Sequence, residues 1–159
     1  MNTLTSPVAL SPPDPATDAS GYELDLVLWC EKQAGLLRAR QFDQLDLDNL
    51  IEELEAMANR DRRELRSRLR VLIMHLLKHQ FQPEANSRSR ASTIRTQRHE
   101  IEELLEQSPS LERLVPQYAE AAFNKAVALA SDETGLPRSA FPDAHPYSRQ
   151  ELLDEHFLP

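Results

Sequence analysis

Beginning at Tyr22, apolar residues return every three or four positions, at Leu24, Val27, Leu28, Ala34 and Leu37, which predicts an amphipathic helix ending near Ala39. A link carrying Phe42 and Leu45 follows. Asp46 or Asp48 can cap the next helix, where a carboxylate also meets the positive end of the helix dipole. From Leu47 to about Phe81 no glycine or proline interrupts the chain, so one helix of roughly 50 Å is permitted at 1.5 Å per residue, stopped by Pro83. At 100° per residue Leu50, Ile51, Leu54, Met57, Ala58, Leu65, Leu69, Leu72 and Leu76 share one stripe, with Arg63, Arg66 and Arg70 opposite. Between Val71 and Leu77 the remaining faces become apolar through Val71, Ile73, Met74 and Leu77. A helix apolar all round is buried all round, which places this half at the centre of a bundle or in an oligomer interface.

After a polar link of Asn86, Ser87, Arg88 and Ser89, a third helix is expected to run to about Gln107 on Ala91, Ile94, Ile101, Leu104 and Leu105. Ser108 before Pro109 reads as a cap, and Pro116 either kinks or restarts the helical piece carrying Leu111, Leu114 and Val115. Ala119, Ala122, Ala126 and Ala130 form a line of small residues that lets two helices approach closely, and Gly135 followed by Pro137 is a stop signal. Ser148 and Glu151 have the spacing of a capping box on a short last helix, after which Phe157 and Leu158 are expected to pin the end of the chain. The pattern defines an all-α protein, a single bundle of four to five helices around one long central helix. Residues 1–19, with Pro7, Pro12, Pro13 and Pro15, read as a disordered Pro-rich tail and residues 20–159 as a single helical domain.

Composition agrees with that class: 159 residues suit one domain, and 3 glycines with 6% aromatic residues argue against an all-β chain. The single cysteine, Cys30, excludes an intrachain disulfide and a multi-thiolate zinc site, and its place beside Trp29 makes a small core residue the expectation. No apolar run approaches membrane-spanning length and no secretory signal opens the chain, so a cytoplasmic protein without membrane association is expected. The net charge of −8 conceals an asymmetry, because residues 60–98 hold 11 Lys and Arg against 3 Asp and Glu while the rest of the chain holds 7 against 23. A basic middle inside an acidic frame suits either an anionic partner such as nucleic acid or internal neutralisation between helices.

Three groups of residues offer chemistry. Asp61, Arg68 and Arg98 lie on or beside apolar stripes; buried charges need partners, so an ion-paired network is expected, with Arg98 on Asp61, serving either as a helix-register lock or as the floor of an anion pocket. His75 and His79 stand four apart, a spacing able to chelate zinc, although a catalytic site needs a third ligand from another helix. Arg88, Arg90 and Arg95, interleaved with serines and Thr93, can grip phosphates through guanidinium forks, without aromatic residues for base stacking. No cofactor motif and no catalytic constellation is present.

The segments "YELDLVLWCEKQAGLLRARQFDQLDLDNLIEELEAM", "SRLRVLIMHLLKHQFQPE", "SRSRASTIRTQRHEIEELLEQSPSLE" and "ETGLPRSAFPDAHPYSRQELLDEHFLP" resemble the bacterial family called domain of unknown function 29, over nearly all of Tyr22 to Pro159. The resemblance implies an all-helical bacterial domain and carries over no activity, substrate or cofactor. In that family a tryptophan commonly stands where this chain has His79 and where it has Arg90. The functional expectation is a non-enzymatic interaction or regulatory module acting on a protein partner or through self-association. Anion or nucleic-acid binding through the Arg-rich middle, and metal-assisted hydrolysis by His75 and His79, are the alternatives.

Overall fold

A computed structural model describes residues 21–84 and 87–159; the expected tail 1–19 and Asn86 of the expected link lie outside them. Of the described residues 77% are helical, and no strand occurs among them. Five helices follow in order: α1 (Leu26–Arg38), α2 (Leu47–Phe81), α3 (Ser87–Gln107), α4 (Val115–Thr134) and α5 (Arg149–Leu153), joined in part by short 3₁₀ turns at Phe42–Gln44, Pro109–Leu114 and Arg138–Ala140. The chain divides into two compact units, residues 1–54 and 55–159.

In the first unit Asp25 caps α1, its carboxylate accepting from the Leu28 amide at 3.0 Å. The helix ends at Ala39, and Arg40 at φ 57° turns the chain into the 3₁₀ turn. Asp46, rather than Asp48, stands at the start of α2, its Oδ1 accepting from the Asn49 amide at 3.5 Å. The buried residues of α1 are Trp29 and Gln33. The stripe read from the sequence lies elsewhere: Leu24, Val27, Leu28 and Leu37 are exposed, and so is Cys30, which is therefore not a core residue. Trp29 and Gln33 are four apart and share a face, and a step of 100° takes Cys30 off it.

The second unit holds the core. Leu65, Leu69, Leu72, Ile73, Leu76 and Leu77 of α2 are fully buried and Met74 nearly so, against Ile94 and Ile101 of α3 and Val115, Phe123, Ala126, Val127 and Ala130 of α4. The segment apolar on every face is thus buried on nearly every face. Ala119, Ala122, Ala126 and Ala130 are all buried, the small side chains that permit close approach of α4. Pro116 falls in the first turn of α4, where its missing amide donor costs nothing, so it starts a helix and does not kink one. Gly135 closes α4 in the left-handed conformation at φ 72°. Both bonds of the capping box are made on α5: the Glu151 amide donates to Ser148 Oγ and the Ser148 amide to Glu151 Oε2.

Candidate functional site

The three residues expected to form one network are separated by the fold. Arg98, on α3 and 4% exposed, donates from Nε to the Leu152 carbonyl at 2.9 Å, from Nη1 to the Phe157 carbonyl at 2.7 Å and from Nη2 to the Glu151 carbonyl at 2.8 Å. Its guanidinium also lies 6.0 Å from the centroid of the Phe157 ring. The expected pairing with Asp61 is absent; Asp61 Oδ2 accepts from Ser108 Oγ at 2.9 Å, which removes Ser108 from its expected capping role as well. The reason is that the last carbonyls of a short helix have no intrahelical donors, and a buried guanidinium with five N–H groups satisfies several at once. Burial lowers the Arg98 pKa, with Asp154 opposing that shift. Arg68 is partly exposed and pairs with Glu64 at 3.2 Å and Glu100 at 3.1 Å, so it bridges α2 to α3 at the surface instead of the core.

A second arginine does the same work as Arg98. Arg90, assigned to phosphate binding by its sequence context, is buried and donates to the Lys78 carbonyl at 2.7 Å, to the Gln82 carbonyl, and to Gln82 Oε1 at 2.5 Å. It closes the C-terminal end of α2, where a cation also complements the helix dipole. The Arg-Ser stretch is the first turns of α3 and not a loop, so Arg88 and Arg95 are exposed while Arg90 points inward. Lys78, nearly buried on α2, pairs with Glu133 of α4. Together with Arg68 and Glu100, that pair joins basic α2 to acidic positions on its neighbours.

His75 and His79 are half-buried on α2, and Nδ1 of each is buried with no hydrogen-bond partner among the described residues. Burial, then Lys78, pushes the His75 pKa down. Among the described residues no group of three or more His, Cys, Asp or Glu side chains is placed to hold a metal ion, so the third ligand that zinc chemistry requires is missing there. His145 is a histidine that the sequence did not single out: its ring meets Phe123 at 5.5 Å and Tyr147 at 5.8 Å, both edge-on, and burial lowers its pKa. Tyr147 in turn donates to Gln80 Oε1 at 2.9 Å, and burial raises its pKa.

A half-open groove of about 580 Å³ runs along α3 and the end of α5, lined by Arg95, Arg98, His99, Glu102, Leu105, Glu106, Glu112, Leu153 and Glu155. Four carboxylates face two arginines and a histidine, and Arg98 is committed to three carbonyls. An anion would therefore meet more repulsion than attraction, and no nucleophile lines the groove.

The first unit carries the surface that the sequence misread. Asp46 is a hub: Trp29 Nε1 donates to its Oδ2 at 3.0 Å, Asn49 Nδ2 donates to the same oxygen at 2.8 Å, and its own amide donates to Gln33 Oε1 at 3.0 Å. Those bonds to Asn49 and Trp29 hold its carboxyl below the usual range. Tyr22 packs edge-on against Trp29 at 5.0 Å and donates to Glu53 Oε1 at 2.7 Å, which pushes its pKa up to about 12. Gln33 four residues after Trp29, with an aspartate just ahead of α2, was the available signal. With those polar groups turned inward, the apolar ones face outward: Leu24, Val27 and Leu54 are 65%, 70% and 64% exposed, and Leu26, Leu28, Leu37, Phe42, Leu47 and Ile51 are exposed as well.

The described residues form an all-helical architecture. Residues 22–158 match the family model described as domain of unknown function DUF29, and the chain belongs to that family. No curated protein and no solved structure matches it. No described helix is long and apolar enough to cross a membrane.

Proposed function

We propose that this protein is a non-enzymatic interaction module that binds a protein partner through the apolar surface of α1 and the start of α2. The observation that carries the reading is the concentration of exposed large apolar side chains between Leu24 and Met57; Leu158 is the one exposed example outside that stretch among the described residues. Exposed large apolar side chains concentrated in one stretch of a small domain mark a place where another molecule can exclude water. The alternatives have less support: Arg90 is committed to backbone carbonyls while Arg88 and Arg95 stay exposed, and His75 and His79 lack a third ligand among the described residues. A photo-reactive amino acid placed at Val27 in living cells tests the proposal against the same group at Arg138. A protein adduct from Val27 and none from Arg138 is expected; the absence of adducts from Val27, Leu37 and Leu54 alike would refute it.

A further inference from the structure

The exposed apolar residues of the first unit fall in helical rows. At the start of α2, Leu47, Ile51 and Leu54 are spaced four and three apart and lie within about 60° of one another around the helix. All three are exposed, while Asn49, Leu50 and Glu53 are half-buried. On α1, Leu26, Val27, Cys30 and Leu37 share an arc of about 100° and are exposed as well. Of the described residues of this unit only Trp29 and Gln33 are buried, so the unit closes no apolar core on these rows.

Charge selects what covers them. Residues 21–54 hold 8 Asp and Glu against 3 Lys and Arg, a net of −5. Asp48 and Glu52 each follow a residue of the α2 row by one position, so both flank it on the same side, 100° round from Leu47 and Ile51. Both are exposed, and neither enters an ion pair among the described residues. A second copy of the unit would bring the same negative charge, and an anionic lipid surface would be repelled in the same way. A basic element is attracted. No strand occurs among the described residues, hence no unpaired edge for an extended peptide to join, and a helix arrives with its own backbone bonds made.

We infer that the partner docks a basic amphipathic helix on the first unit, its apolar side chains on Leu47, Ile51 and Leu54 and on the α1 row, its Lys or Arg side chains against Asp48 and Glu52. The inference rests on the reading of this surface as an interaction site and names the chemistry of what it binds.

The probe is a fluorescein-labelled helical peptide of about 18 residues with leucine on one face and lysine on the other, set against its twin with glutamate for lysine. Fluorescence anisotropy with the full chain, at about 0.15 M salt, should show the lysine peptide binding at least about tenfold more tightly than the glutamate twin. Asp48→Lys with Glu52→Lys should weaken the lysine peptide at least about tenfold. Ile51→Gln with Leu54→Gln, at exposed positions, should do the same with no loss of helical circular dichroism, which keeps the test intact if the charge reversal fails to fold. Glu102→Lys with Glu106→Lys, exposed on α3 in the second unit, makes the same change of charge and should leave the affinity within about twofold. Equal binding of the two peptides, or an equal loss from the α3 variant, would overturn the inference. So would a dimer, or binding to phosphatidylglycerol vesicles, that Ile51→Gln with Leu54→Gln abolishes. If neither peptide binds while Val27 still forms protein adducts, the interaction reading stands and the basic helix falls; if the adducts are missing as well, both fall.

Discussion

Arg98→Ala removes a side chain that ties the last segment of the chain to α3, and its cost can be worked from the bonds it makes. The Leu152 carbonyl it holds is buried, while the Glu151 and Phe157 carbonyls are half-buried and can be rehydrated. A hydrogen bond from a charged donor contributes about 1.5–3 kcal/mol where water is excluded and about 0.5–1 kcal/mol where water can replace it. The total is about 2.5–5 kcal/mol. With a urea slope of about 2 kcal/mol per molar, the unfolding midpoint should fall by roughly 1.2–2.5 M. Arg98→Lys should recover less than half of the loss, since one ammonium on a flexible stem cannot reach three carbonyls spread over a fork. Because Asp61 bonds to Ser108 and not to Arg98, Asp61→Ala combined with Arg98→Ala should be additive within about 0.5 kcal/mol. A midpoint shift under about 0.5 M, or a coupling above about 1 kcal/mol between positions 61 and 98, would refute the clamp.

Met74→Asp puts an unpaired carboxylate into the apolar core of the second unit and should unfold it, at a cost of several kcal/mol, read as lost helical circular dichroism. His75 and His145 both have pKa values lowered by burial, so the unfolded chain binds more protons than the folded one once pH falls below about 6.5. Stability should be full above that value and decline as pH falls from 6.5 toward 5, and His145→Phe should flatten part of the decline in urea melts taken across that range. Trp29 is the only tryptophan, so its fluorescence reports on the first unit alone; Asp46→Ala should shift its emission to longer wavelength as the indole loses its partner. An unshifted spectrum would mean that the hub does not hold the indole in place.

What the sequence determined by itself was everything that depends on neighbours along the chain. The uninterrupted run from Leu47 to Phe81, the stop at Gly135, the capping box of Ser148 and Glu151 and the buried alanine line of α4 all rest on spacing, on glycine's freedom at positive φ or on a side chain reaching three residues ahead. The segment Val71–Leu77 was legible because a helix apolar on all faces has one stable environment. Tertiary structure decided the partners. Periodicity says that Leu24, Val27, Ile51 and Leu54 share helical faces, but a core stripe and an exposed docking stripe have the same period, and only the path of the chain separates them. Likewise Arg90 and Arg98 announce a need for acceptors, and charge alone suggests phosphate or carboxylate. Their acceptors are backbone carbonyls, at the ends of α2 and α5 and at Phe157, which no side-chain pattern displays.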